Sequence, residues 1–79
     1  MRIEIKIDDP GDAEEIEVAN IYVNVGDHLD ANTRVLELAT DKANMEIDTP
    51  ESGTVTEILV MVGQIIDPDQ VLAVVETES

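Results

Sequence analysis

The sequence predicts a small all-β domain, and two observations support this. Apolar and polar residues alternate with a period of two along most of the 79 residues, which is typical of half-buried strands. In contrast, no long stretch carries the sustained apolar stripe of an amphipathic helix. The length fits one domain spanning residues 1–79, and residues 77–79 have the composition expected at the start of a linker.

Turn-forming residues divide the alternating pattern into seven predicted strands. An acidic stretch with Pro10 and Gly11 ends the first strand, and Gly26, Pro50, Gly63 and Pro68 mark later turns. The predicted strands span residues 3–7, 16–25, 35–38, 45–47, 55–62, 65–66 and 71–75.

The chain also contains an internal repeat. Residues 18–30, moved forward by 37 positions onto 55–67, give six identities in thirteen aligned pairs. With one residue dropped, Val35-Leu36 then aligns with Val71-Leu72. Two related β halves predict two similar sheets packed face to face about an approximate two-fold axis.

Two glycines occupy equivalent positions in this repeat. Gly26 follows Val25, and Gly63 follows Val62. We predict a positive φ at both turns, because glycine reaches that conformation without strain.

The charge and composition exclude several classes of function. Four basic residues against nineteen acidic ones give a net charge of −15, which repels nucleic acids and anionic membranes. Tyr22 is the only aromatic residue, and cysteine is absent. No apolar run is long enough to span a membrane, and the first residues lack the apolar stretch of a signal peptide. We therefore expect a soluble, intracellular protein or domain that binds neither nucleic acid nor membrane.

One predicted hairpin stands out, between the strands that contain Leu38 and Met45. Its tip is Asp41-Lys42-Ala43, for which we predict a type I turn beginning at Asp41. A lysine at a loop tip is ordinarily a solvated charge. A protruding lysine beside a small alanine is also what a covalently bound cofactor needs, because the bound group must reach distant active sites.

The residues around this tip resemble a known motif. Thr40-Asp41-Lys42-Ala43, followed by Met45-Glu46-Ile47, is similar to the lipoyl-lysine motif of dihydrolipoyl acyltransferases of 2-oxo acid dehydrogenase complexes. The similarity extends through residues 3–7, 23–27, 52–55 and 62–63, so it covers nearly the whole chain. The chain most resembles the lipoyl domains of bacterial pyruvate dehydrogenase acetyltransferases.

The resemblance implies a fold and a site. The fold would be a flattened β-barrel or sandwich of two four-stranded antiparallel sheets, as in biotinyl and lipoyl carriers. Lys42 would form an amide with lipoic acid, and Asp41 and Ala43 would help partners recognise the tip. The domain would contribute no catalytic residue and no metal ligand. Residues 8–15 would lie near the tip and influence the choice of decarboxylase, whereas Ala39 replaces a glutamate that many lipoyl domains have three residues before the lysine.

The resemblance also implies a carrier cycle and its partners. A lipoate ligase or lipoyl transferase would attach the cofactor, and a thiamin-diphosphate-dependent 2-oxo acid decarboxylase would reductively acylate it. The acyltransferase core would move the acyl group to coenzyme A, and dihydrolipoamide dehydrogenase would reoxidise the arm. Such a domain would be monomeric in isolation and would work in the bacterial cytoplasm or, in a eukaryote, the mitochondrial matrix.

Three alternatives remain open from the sequence. A biotinyl carrier domain has the same fold, but biotin carriers flank their lysine with methionines where this chain has Asp41 and Ala43. An unmodified, lipoyl-like interaction module would have no need for this tip. An enzyme could use some of the nineteen carboxylates, but His28 is the only histidine, and no carboxylate spacing indicates a catalytic or metal site.

Overall fold

The computed structural model describes residues 1–7 and 15–77, and within them the chain forms eight strands. The described residues form no helix, and therefore no helix long and apolar enough to cross a membrane. The strands are β1 (Arg2–Lys6), β2 (Ile16–Ile21), β3 (His28–Leu29), β4 (Arg34–Thr40), β5 (Asn44–Asp48), β6 (Gly53–Ile58), β7 (Ile65–Ile66) and β8 (Val71–Thr77).

The strands form two antiparallel four-stranded sheets, which confirms the predicted all-β sandwich. One sheet has the order β1-β8-β6-β3, and the other has the order β5-β4-β2-β7. Buried side chains from both sheets form one core between them; burial alternates along most strands, whereas Leu72 to Val75 of β8 are buried without a break. Fully buried members of this core are Ile16, Val18, Val35, Leu36, Leu38, Val55, Leu72, Ala73 and Val75.

The pairing registers confirm the internal repeat in detail. Val18 pairs with Leu38 in one sheet, and 37 positions later Val55 pairs with Val75 in the other. Each pairing is followed by a β-bulge at the equivalent place, between Val18 and Asn20 and between Val55 and Glu57. The two halves therefore have the same backbone plan, including its irregularities.

One part of the predicted alignment was wrong. Tyr22 donates from its backbone N–H to the Val35 carbonyl, and Leu59 makes the equivalent bond to Leu72. Val35 therefore corresponds to Leu72, and the offset of 37 continues through β4 and β8 with no residue dropped. The alignment dropped one residue because it matched identical residue types. Equivalent buried positions in the two halves can hold residues of different size and keep the same register, because a neighbouring buried residue compensates for the change in volume.

The predicted strand 16–25 was also wrong in its second half. Strand β2 ends at Ile21, and the chain then crosses to the other sheet, where the Gly26 N–H donates to the Val55 carbonyl. In the second repeat the chain crosses between the sheets in the same way, and the Gly63 N–H donates to the Val18 carbonyl. Gly26 and Gly63 have φ values of 96° and 90°, as we predicted for these turns.

Thr77 belongs to the fold rather than to a linker, contrary to our expectation. It is the last residue of β8, is buried, and pairs with Gly53. Its backbone N–H and its hydroxyl both donate to the Met1 carbonyl, which ties the ends of β8 and β1 together. Residues 78–79, the rest of the predicted linker, lie outside the described residues.

Candidate functional site

Lys42 lies at the exposed tip of the hairpin formed by β4 and β5. The last register pair of this hairpin is Ala39 with Asn44, and Asp41, Lys42 and Ala43 beyond it are all exposed. The structure thus brings together the three residues that we predicted for the site. The turn itself differs from the prediction, because it is closed between Thr40 and Ala43 instead of starting at Asp41.

The Thr40 side chain organises the tip. Its hydroxyl donates to the Ala43 carbonyl at 2.6 Å and accepts from the backbone N–H groups of Lys42 at 3.2 Å and Ala43 at 3.0 Å. The Thr40 backbone N–H also donates to the Ala43 carbonyl, at 3.0 Å. The main chain on both sides of Lys42 is therefore tied to one side chain, without a glycine at the tip.

The hairpin rests on a buried row of side chains. Thr40 pairs with Ile16, which in turn pairs with Ile66 on the neighbouring strand. Ile16 is 2% exposed and Ile66 is 5% exposed, so the end of β4 is fixed to the core immediately before the tip. A second row, Ala39, Glu17 and Ile65, lies across the same three strands with its residues paired in register. Strand pairing and burial therefore hold the backbone in place at the base of the hairpin that carries Lys42.

The Lys42 side chain is exposed to solvent. Within residues 1–7 and 15–77, no carboxylate forms an ion pair with the Lys42 amine. In contrast, Arg2 of β1 pairs with Glu57 of β6 across the intervening β8, and Arg34 of β4 pairs with Glu46 of the adjacent β5. Ala43 adds only a methyl group beside it. The exposed amine, the small neighbour and the rigid base all fit a cofactor bound through an amide, which would remove the positive charge of the lysine.

A cleft lies elsewhere on the surface, and the tip residues do not line it. One cleft of about 290 Å³ opens between the edge strands of the two sheets, away from the hairpin tip. It is lined by Glu4, Ile5, Lys6, Glu46, Ile47, Asp48 and Pro50. Among the described residues, no group of three or more histidines and carboxylates is placed to hold a metal ion. The tip is thus an exposed feature of the surface, distinct from this cleft.

Sequence reasoning missed the hydrogen-bonding role of Thr40 at the tip. It also predicted that residues 8–15 lie near the tip, and most of this segment is outside the described residues. Thr40 was quoted only as part of the motif, although a threonine hydroxyl can bond the backbone two residues further on and so favour a turn. Of residues 8–15, predicted to lie near the tip, only Glu15 is described, and it is exposed. Residues 8–14 lie outside the described part of the chain.

The doubled sandwich and its lysine-bearing hairpin define a class of small domains that present one lysine on a rigid β scaffold. Comparison with known proteins identifies the family. Residues 3–75 match the family model described as "Biotin-requiring enzyme", and the chain belongs to this biotinyl/lipoyl domain family.

Curated relatives show which proteins of this family the chain is similar to. The chain is 35% identical over 74 residues to the dihydrolipoyllysine-residue acetyltransferase component of the pyruvate dehydrogenase complex from Cupriavidus necator, which covers 94% of this chain and 13% of the relative. The same component from Haemophilus influenzae is 38% identical over 76 residues, covering 96% of this chain and 13% of that protein. The succinyltransferase component of the 2-oxoglutarate dehydrogenase complex from Staphylococcus saprophyticus is 36% identical over 58 residues, covering 73% and 14%. The chain therefore spans about an eighth of the length of the first two relatives.

A solved structure supports the fold. The chain superimposes on part of the urea carboxylase of Kluyveromyces lactis with a TM-score of 0.76, at 22% sequence identity, covering 96% of this chain and 6% of the carboxylase. At this level of identity the match shows the fold alone, and it agrees with the two-sheet sandwich described above.

Proposed function

We propose that this chain is a lipoyl carrier domain and that Lys42 is the lipoyl attachment site. The observation that carries the proposal is the exposed Lys42 amine, held at a hairpin tip on a buried base, in a chain similar to pyruvate dehydrogenase acetyltransferases. When bound, lipoic acid would supply a dithiolane that accepts an acyl group with its own reduction and releases it to coenzyme A.

The residues of the chain bind and present the arm but do not perform the chemistry. Lys42 provides the attachment atom, and the sandwich provides a firm base from which the arm can move between active sites. Tethering raises the effective concentration of the arm at each active site. Asp41 and Ala43, both exposed beside Lys42, are the contacts through which partner enzymes would recognise the tip.

The proposed partners follow from the same role. A lipoate ligase or lipoyl transferase would load Lys42, a thiamin-diphosphate-dependent decarboxylase would acylate the arm, and an acyltransferase core and dihydrolipoamide dehydrogenase would complete the cycle. Similarity to the pyruvate dehydrogenase component favours pyruvate as the 2-oxo acid and the bacterial cytoplasm as the compartment. We propose that the isolated domain is monomeric, because a carrier must leave each partner after use.

The test is enzymatic loading followed by intact-mass measurement. The chain would be incubated with lipoate, ATP and a lipoate ligase, together with a Lys42→Arg variant and a matched Lys6→Arg control. We expect one lipoyl increment on the wild type and on Lys6→Arg, and none on Lys42→Arg. The two variants cover both candidate lysines, because Lys42 and Lys6 are the only lysines in the sequence.

The other outcomes separate the alternatives. An increment on Lys42→Arg would show that another amine is the site. No increment on the wild type, combined with loading by a biotin ligase in the presence of biotin, would identify a biotinyl carrier. Loading by neither ligase would indicate an unmodified interaction module.

A further inference from the structure

We propose that Thr40 is a positioning residue of the carrier site and that its hydroxyl sets the backbone conformation in which Lys42 is presented to its attachment enzyme. This inference rests on the proposed function for the role of Lys42. It concerns a residue that does not bear the cofactor and acts only through the turn.

The first argument is that the Thr40 hydroxyl uses its whole hydrogen-bonding capacity within the tip. A hydroxyl has one donor and two acceptor lone pairs. The donor bonds the Ala43 carbonyl at 2.6 Å, and the lone pairs accept from Lys42 N–H at 3.2 Å and Ala43 N–H at 3.0 Å. No other described side chain holds the backbone on both sides of Lys42 in this way.

The second argument is that these bonds replace those of an ordinary turn. A β-turn is commonly closed by a bond from the fourth N–H to the first carbonyl. Here the Ala43 N–H donates to the Thr40 hydroxyl instead, so closure depends on a side chain. Without that hydroxyl, the N–H groups of Lys42 and Ala43 would turn to water, and the tip would sample several conformations. An enzyme that binds one of them would then meet a smaller competent fraction.

The third argument comes from the internal repeat, which supplies a matched control. Thr77 lies 37 positions after Thr40 and pairs with Gly53 where Thr40 pairs with Ile16. Its hydroxyl donates to the Met1 carbonyl at 2.8 Å, the counterpart of the Thr40 bond to Ala43. Thr77 therefore has the same kind of bond in the other sheet, with no lysine beside it.

The experiment compares four proteins: the wild type, Thr40→Val, Thr40→Ser and Thr77→Val. Valine keeps the branched shape that suits a strand but removes the hydroxyl, and serine restores the hydroxyl. Initial rates of lipoylation by lipoate ligase would be measured over a range of domain concentrations. Amide hydrogen exchange of Lys42 and Ala43 would be followed by NMR, and thermal unfolding would be recorded for each variant.

We expect Thr40→Val to raise the KM for the domain about tenfold and to change kcat less than about twofold. A tenfold change corresponds to about 1.4 kcal/mol, which is the size expected for losing a small hydrogen-bond network. The Lys42 and Ala43 amides should exchange faster in this variant alone. Thr40→Ser should return KM to within about twofold of the wild type, and Thr77→Val should lower the melting temperature without changing KM.

Three results would overturn the proposal: a wild-type KM in Thr40→Val, an equal rise in KM in Thr77→Val, or failure of Thr40→Ser to restore it. If the wild type is not lipoylated at all, the proposed function fails instead. Hydrogen exchange then decides the role of Thr40 by itself, because unchanged exchange at Lys42 and Ala43 in Thr40→Val would refute the positioning role.

Discussion

The Lys42 hairpin and the place where β8 meets β1 have the same construction, yet only the hairpin carries the candidate site. At both places a threonine backbone N–H and hydroxyl donate to one carbonyl, that of Ala43 for Thr40 and that of Met1 for Thr77. At the first place a continuous turn joins the two strands and exposes a lysine. At the second, the strands are the first and last of the described chain. The framework is therefore duplicated, and only one of the two places has a connecting turn that carries a lysine.

The neighbouring strands differ as well. Ile16, beside Thr40, fills the core with a large side chain, whereas its repeat counterpart beside Thr77 is Gly53. A β-carbon at Gly53 would lie 2.4 Å from the Glu76 carbonyl oxygen and 2.8 Å from a Val75 methyl. The sheet without Lys42 thus brings β6 and β8 into close contact at its end, and the sheet that ends in the Lys42 hairpin uses side-chain volume at the same position.

The largest expected effect is obtained by disturbing that close contact. Gly53→Ala should lower the free energy of unfolding by about 2–3 kcal/mol, because the new methyl meets backbone that cannot move aside. In a domain of this size that corresponds to a melting temperature lower by about 10 °C or more, measured by circular dichroism. Thr56→Ala, at an exposed position on the same strand, should cost less than about 1 kcal/mol. An unchanged melting temperature for Gly53→Ala would contradict the close approach of β6 and β8.

A smaller effect tests how equal the two halves are. Gly26→Ala and Gly63→Ala place a β-carbon in open space, so their cost should come only from the positive φ. Each should lower the free energy of unfolding by about 1–2 kcal/mol. The two values should agree within about 0.5 kcal/mol, measured by urea denaturation with a common slope. A clear inequality would show that the two crossings are not energetically equivalent.

The smallest effect concerns charge. Arg2 and Arg34 are paired with carboxylates on the strands, yet the chain retains a net charge of −15. Self-repulsion of this size opposes the compact state, and salt screens it. The melting temperature should therefore rise by a few degrees, about 2–6 °C, between low salt and several hundred millimolar sodium chloride. A flat or falling response would show that the carboxylates are too dispersed to repel one another measurably.

The sequence was sufficient to predict the architecture because the repeat and the alternation constrain each other. A period of two fixed which residues face the core, and the offset of 37 predicted two similar sheets. The equivalence of β1 with β5 escaped the alignment. Ile3 and Met45 occupy matching registers against β8 and β4, but they are 42 positions apart. The connection from β1 to β2 is five residues longer than that from β5 to β6, which shifts the offset and hides the first strand of each half.

The remaining errors have local causes. The apolar pattern of residues 21–25 is that of a strand, but residues 22–25 cross between sheets, and hydropathy does not distinguish a crossing from a paired strand. The tip residues were found from the motif, whereas the Thr40 network was not. Its hydroxyl bonds depend on the side-chain conformation and on where the last register pair falls, and residue order alone specifies neither.

The interleaving of the two halves has a further consequence for the lysine-bearing turn. Each sheet takes two strands from the half that precedes Lys42 and two from the half that follows it. Neither half has a complete sheet of its own, so the two must fold as one cooperative unit. The turn at Lys42 is also the only covalent link between them. A cut at this turn would therefore leave a noncovalent pair of fragments still interlocked through both sheets, with cohesion supplied by the core and not by the turn that carries Lys42.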